Sequence, residues 1–260
     1  MTASIAHLSD PHIRDGSLAP APATSLHQAL GRVLTLDPQP DCVVITGDLV
    51  DQGRPEEYRA LRELIERFPL PLHLLAGNHD DRKGLLAEFG ASPFMGGSER
   101  AYYSVDYPSF TVIALDSKMQ GSPAGQLGAQ QLAWLDTVLA RRPQTPAIVC
   151  LHHPPIDVGI PFLDGMRLFD GHDLAGVLGR HSNVARVLAG HVHRPVAAAF
   201  AGTTLAIAPS THLQSRLALE GTVPNYVSEP AAFLLHVLAG SVWVTHTVPV
   251  SHEAAPIATF

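Results

Sequence analysis

Five apolar runs in this chain each stop at residue types that bind divalent cations. Residues 4–9 lead into Asp10 and His12, and residues 42–47 into Asp48. Residues 72–77 lead into Asn78 and His79, residues 147–151 into His152, and residues 184–190 into His191 and His193. A lone Asp-x-His or His-x-His is weak, because an isolated histidine is more often a core or surface residue than a ligand. Seven such positions, each just past a strand-like run, point instead to a two-metal hydrolytic site.

The chemistry of the set is specific. Asp10, His12, Asp48, Asn78, His152, His191 and His193 offer two carboxylates, four imidazoles and an amide oxygen, without a thiolate. Such donors suit Mn²⁺, Fe²⁺/Fe³⁺, Zn²⁺ or Co²⁺ better than a structural zinc. Seven donors exceed what one tetrahedral ion takes, and two ions sharing a bridging carboxylate account for the number. Residues two apart in extended backbone point the same way, which would bring Asp10 and His12, and likewise His191 and His193, to one side. By that rule His153 points away from His152 and is left out of the set. Gly47, Gly77 and Gly190 precede ligand segments, where a missing side chain permits tight turns.

Those residues need elements to hold them. Through residue 190 the strand-like runs alternate with helical patterns, which predicts α/β layering. Helices are expected over 24–36, 55–68, 126–141 and 173–181. Over 55–68 the period is clearest, with Pro55 suited to a first turn and Tyr58, Leu61, Leu64, Ile65 and Phe68 on one face. Residues 101–105 and 110–115 read as an antiparallel pair. From 196 onward the pattern is all β, over 196–201, 203–208, 231–237 and 241–248. Helix-separated strands followed by consecutive strands predict two sheets packed face to face with helices outside. Open α/β sheets place ligands beyond the carboxyl ends of their strands, where all five motifs fall.

Residues 14–23, 90–100 and 155–170 read as surface loops. The third lies between two ligand motifs and should border the site, with Phe162, Leu163, Met166 and Arg167 as rim candidates. Residues 209–230 carry no clear period and read as a substrate-facing or subunit-facing excursion. The whole chain, 1–260, reads as a single domain. The C-terminal strands and loops, 209–260, are expected to contribute to a homo-oligomer, a dimer or larger.

The series Asp10-Pro11-His12, Gly47-Asp48, Gly77-Asn78-His79-Asp80, His152 and Gly190-His191-Val192-His193 resembles the calcineurin-like metallophosphoesterase superfamily. It is most similar there to the bacterial class III cyclic-nucleotide and glycerophosphodiester phosphodiesterases. The resemblance implies a four-layer αββα sandwich. It implies Asp10, His12 and His193 on a first metal, Asn78, His152 and His191 on a second, and Asp48 bridging both. It gives His79 the role of contacting the phosphate or protonating the leaving oxygen, and Asp80 that of orienting His79 or its loop. Asn78, His79 and His212 become substrate candidates. The implied activity is hydrolysis of small phosphodiesters, 3′,5′-cyclic nucleotides or glycerophosphodiesters, by a metal-bridging hydroxide.

Charge fits that chemistry. Two divalent ions, two carboxylates and one hydroxide sum to about +1, which attracts a phosphodiester monoanion. Metal binding lowers the pKa of water from ~15.7 to about 7. The same donors would equally serve a phosphomonoesterase or a nucleotide pyrophosphatase. A non-catalytic scaffold is the third reading, opposed by an intact ligand set. The net charge of −7 argues against a nucleic-acid surface, and with it against a DNA nuclease. With 46% hydrophobic and 16% charged residues the chain is globular in composition. No apolar run reaches the ~20 residues of a membrane span. Cys42 and Cys150 sit in apolar runs as expected free thiols, and a cytoplasmic location is anticipated.

Overall fold

The computed structural model describes residues 3–250 apart from 222 and 224. The C-terminal end of the expected oligomerisation segment, residues 251–260, lies outside the described residues.

Three short apolar strands start the fold: β1 (Ser4–Leu8), β2 (Cys42–Ile45) and β3 (Leu72–Leu74). They run parallel, β1 beside β2 and β2 beside β3. Every residue of the three is buried, as parallel strands covered on both faces require. The long strands β12 (Ala232–Ala239) and β13 (Val242–Pro249) form a hairpin that pairs antiparallel to β1. The first sheet thus has the order β13-β12-β1-β2-β3.

A second sheet is built from β4 (Tyr103–Asp106), β5 (Thr111–Ala114), β6 (Ala147–Cys150), β7 (Val184–Ala189), β8 (Val196–Phe200) and β9 (Thr203–Ile207), in the order β4-β5-β6-β7-β9-β8. Here β5, β6, β7 and β9 are parallel, and β4 and β8 close the edges antiparallel. The β4–β5 hairpin expected from residues 101–115 is present. Alternate residues separate two cores. Val112, Ala114, Ile148, Cys150 and Leu188 join the core shared with the first sheet. Ile113, Val149, Leu151, Val187 and Ala189 face the opposite way, into a second core.

Helices α1 (Pro20–Leu34) and α2 (Pro55–Ile65) cover the first sheet through Leu26, Leu30, Val33, Tyr58, Leu61 and Ile65. Helix α3 (Arg82–Phe89) packs beside α2, with Leu85 and Phe89 buried. Helices α4 (Gly128–Arg141), α5 (Pro161–Asp164) and α6 (Gly171–Leu178) cover the outer face of the second sheet, where Leu135, Leu139, Leu163 and Leu174 are buried. The result is the expected layering of two mixed sheets between helices. Four helices fall where the apolar period placed them, with ends shifted by a few residues. The sequence reading assigned no element to α3 or α5. In α3 the start signal is an Asp81 side chain that accepts the Gly84 N–H at 2.7 Å, while only two positions bury apolar side chains.

Both cysteines are buried free thiols. Among the described residues, no helix is long and apolar enough to cross a membrane.

Candidate metal centre

The carboxyl ends of β1, β2, β3, β6 and β7 meet at the seam between the two sheets. There the chain turns sharply. Asp10, His12, Asp48, His191 and His193 have φ of 52°, 46°, 46°, 70° and 53°. Left-handed backbone is uncommon outside glycine, though Asp and His tolerate it, and its concentration at one seam marks strain held for a purpose. Extended alternation is therefore not what aims Asp10 with His12, or His191 with His193. Paired left-handed turns do it. Cross-links hold those turns: Asp10 N–H donates to Gly47 O at 3.1 Å, His12 N–H to Asp48 O at 3.0 Å, and Gly190 N–H to His152 O at 2.9 Å. A Cβ on Gly77 would lie 2.2 Å from both the backbone nitrogen and Oδ1 of Asp48, so only glycine allows β2 and β3 to deliver their ligands side by side.

Seven side chains converge in two groups. Asp10, His12, Asp48 and His193 form one, all buried. His12 Nε2 and His193 Nε2 face each other at 3.1 Å, and His193 Nε2 lies 3.4 Å from Asp10 Oδ1. In the other, Asn78 Oδ1 sits 3.0 Å from His152 Nε2 and 2.9 Å from His191 Nδ1. Between the groups stands one oxygen. Asp48 Oδ2 is 3.6 Å from His12 Nε2 and 3.5 Å from His152 Nε2.

The outward ring nitrogens fix which lone pairs point in. His152 Nδ1–H donates to Thr46 O and His193 Nδ1–H to Leu213 O, both at 2.7 Å. The Asp51 carboxylate lies 3.5 Å from His12 Nδ1. Each contact leaves Nε2 for the interior, the outer-sphere arrangement that orients metal-binding imidazoles. Two imidazole nitrogens facing at 3.1 Å, their protons committed outward, are compatible when a cation lies against both lone pairs. The donor set and its tautomers fit divalent metals.

Burial opposes ionisation of Asp48, but the imidazoles of His152, His12 and His79 override it and hold the carboxyl well below its usual range. Asp10 behaves alike, brought down to about 2 by His193 and His152 against burial.

His79 is exposed at the rim, its ring 4.7 Å from that of His12. Its Nδ1 donates to Asp51 O at 2.7 Å, leaving Nε2 free for a substrate. Asp80 is buried, without a contact to the His79 ring. It accepts from Gly77 N–H, Leu49 N–H, Val50 N–H and the Tyr58 hydroxyl at 2.8–3.3 Å, so it clamps the loop carrying Asp48 to the loop carrying Asn78. Burial and the neighbouring Asp48 push its carboxyl up to about 7 against the pull of the backbone donors. His153 lies close enough to His152 and His191 to share a metal group with them, but Ser117 Oγ at 2.8 Å and Pro123 O at 3.1 Å engage both its ring nitrogens.

Above the two ligand groups lies a cleft of about 240 Å³. One wall is Ile160, Phe162, Leu163 and Met166, from the loop expected to border the site. Arg167, the fourth rim candidate, turns away to Asp157 at 3.1 Å. The other wall comes from β10 (Gln214–Ser215) and β11 (Tyr226–Val227), a small hairpin inside the excursion that had no readable period. Ser215, Arg216, Asn225 and Tyr226 line it. His212 does not line the cleft, and its Nδ1 lies 3.2 Å from Ser25 Oγ. Sequence reasoning missed Asp51 and the hairpin residues. A motif search could have found Asp51, three residues past Asp48, whereas nothing marks Tyr226.

Residues 3–195 match the calcineurin-like phosphoesterase family. The chain belongs to that family. It is 30% identical over 263 residues to a glycerophosphodiester phosphodiesterase of Enterobacter lignolyticus, covering 97% of this chain and 93% of the relative. It is 36% identical over 217 residues to a cAMP/cGMP dual specificity phosphodiesterase of Mycobacterium tuberculosis, covering 79% and 66%. A dimetal phosphatase from Danio rerio superposes with a TM-score of 0.71 at 17% identity, covering 95% of this chain and 96% of that one, a likeness of fold.

Proposed function

We propose that this protein is a dinuclear metal-dependent phosphodiesterase acting on small diesters, 3′,5′-cyclic nucleotides or glycerophosphodiesters. The observation that carries the reading is Asp48 Oδ2, placed 3.6 Å from one ligand group's His12 and 3.5 Å from the other's His152. Asp10, His12 and His193 would hold one ion, Asn78, His152 and His191 the other, with Asp48 common to both. Mn²⁺, Fe²⁺/Fe³⁺, Zn²⁺ and Co²⁺ all suit these donors. When bound, such a pair supplies Lewis acidity toward phosphoryl oxygens and acidifies water to a pKa of about 7.

The chain's own groups do the rest. His79 Nε2 contacts the phosphate or protonates the leaving oxygen, which matters most when that oxygen departs as a basic alkoxide. Asp80 positions the two loops. The apolar wall at Phe162 and Met166 shields the organic substituent from water. A cleft of about 240 Å³ accommodates a small diester. We place the protein in the cytoplasm, supported by its two buried free thiols. A dimer or larger homo-oligomer belongs to the same reading, supported by Leu219 and Val223, 63% and 71% exposed on the hairpin loop.

Hydrolysis of bis(p-nitrophenyl) phosphate and p-nitrophenyl phosphate, measured after chelation and again with Mn²⁺ restored, tests the proposal. The expected result is diester turnover that vanishes with chelator and returns with metal. Metal-independent turnover, or a strong preference for the monoester, would overturn it.

A further inference from the structure

The β10–β11 hairpin is fastened to a metal-ligand residue from both sides. Leu213 O accepts the His193 Nδ1–H at 2.7 Å, and Ser215 N–H donates to His193 O at 3.2 Å. Ser215 pairs across the hairpin with Tyr226. The Tyr226 ring consequently stands over His193, with centroids 5.4 Å apart, and lines the cleft opposite Asp48, Asn78 and His79. Its hydroxyl has no hydrogen-bond partner among the described residues. A phenol on the cleft wall with nothing to donate to is a ready donor for an anion entering the cleft.

We propose that Tyr226 contacts the substrate, its O–H donating to a non-bridging oxygen of the phosphate group held in the cleft. The proposal rests on the phosphodiesterase reading. It makes Tyr226 part of the substrate-binding machinery, with His193 as the rigid point that sets where the phenol stands. A substrate oxygen then has a neutral donor on the hairpin side and His79 on the other, which adds orientation without adding charge.

The test uses the Mn²⁺-loaded protein and three forms: unaltered, Tyr226→Phe, and Leu217→Ser. Leu217 is exposed on the same hairpin but does not line the cleft, so its variant reports on hairpin integrity. Binding of inorganic phosphate is measured by calorimetry and turnover with bis(p-nitrophenyl) phosphate. Tyr226→Phe is expected to weaken phosphate binding about tenfold and lower kcat/KM by a similar factor, as loss of one donor does, with Leu217→Ser unchanged in both. Equal phosphate affinity and kcat/KM in Tyr226→Phe would overturn the proposal, as would equal losses in Leu217→Ser. If the unaltered protein cleaves no diester with any metal, the phosphodiesterase reading fails, and the phosphate affinities still decide the role of Tyr226.

Discussion

The floor of the cleft is drawn from five strand ends across two sheets, and its walls from a connection after β6 and a hairpin after β9. Floor residues are buried except for the partly buried Asn78, and Asp10, His12, Asp48, His191 and His193 sit in strained left-handed backbone held by hydrogen bonds between neighbouring strand ends. Wall residues such as Phe162, Arg216 and Tyr226 are partly or largely exposed; Phe162 and Tyr226 sit on elements of four residues or fewer, and Arg216 lies just past the two-residue β10. The floor therefore has one geometry available, set by the sandwich, while the walls can vary with little cost to the fold. On the proposed function, chemistry belongs to the first and substrate choice to the second.

That division can be broken by substitution. Asp48→Ala should have the largest effect, a loss in kcat/KM on the order of a thousandfold or more, with metal content per chain falling from two toward zero by elemental analysis. Retained turnover would mean that the shared oxygen is incidental. His79→Ala should cost about a hundredfold with an alkyl leaving group and far less with p-nitrophenolate, which needs no proton to depart. Equal losses on both substrates would move His79 from proton donor to phosphate contact. Phe162→Ala, on the wall, should raise KM roughly tenfold while kcat stays within about twofold. A matching fall in kcat would show that the wall also shapes the reacting geometry.

A fourth expectation concerns the polar seam beneath β1. His7 lies between His236 at 3.3 Å and Thr46 Oγ1 at 2.9 Å, all three fully buried. Burial brings His7 down to about 3 from 6.5 and His236 well below its ordinary value. Above pH 6.5 these rings are neutral whether folded or not. As pH falls below 6.5, the unfolded chain takes up protons the folded one refuses, so stability is lost progressively toward pH 3. Buried His73, down to about 4, adds in the same direction. Asp80, raised to about 7, works oppositely, because the folded state keeps its proton more readily. With the histidines in the majority, Tm should be a few degrees lower at pH 5 than at pH 7.5; an unchanged or higher Tm would show that these rings are protonated in the fold.

The same contrast explains what could be read from the residues alone. Floor ligands follow apolar runs directly, and their types are restricted by metal chemistry, so Asp10, His12, Asp48, Asn78, His152, His191 and His193 stand out without a structure. Helices α1, α2, α4 and α6 announce themselves by an apolar face. The reason that Asp10 and His12 point together was not legible, because a left-handed turn leaves no periodic trace. Helix α3 escaped because its amphipathic pattern is weak and its cap is a single Asp81. Tyr226 escaped because its proposed role depends on Ser215 bonding to His193, a contact between segments separated by β8 and β9. Local pattern reports what a strand or helix imposes, and it is silent where two irregular segments meet.

The central claim is that two cations share Asp48. Anomalous diffraction at the manganese edge, from crystals grown with Mn²⁺, tests it most directly. The account predicts two peaks, one among Asp10, His12 and His193, the other among Asn78, His152 and His191, with Asp48 touching both. A single peak, or two peaks with Asp48 bound to only one, would contradict it.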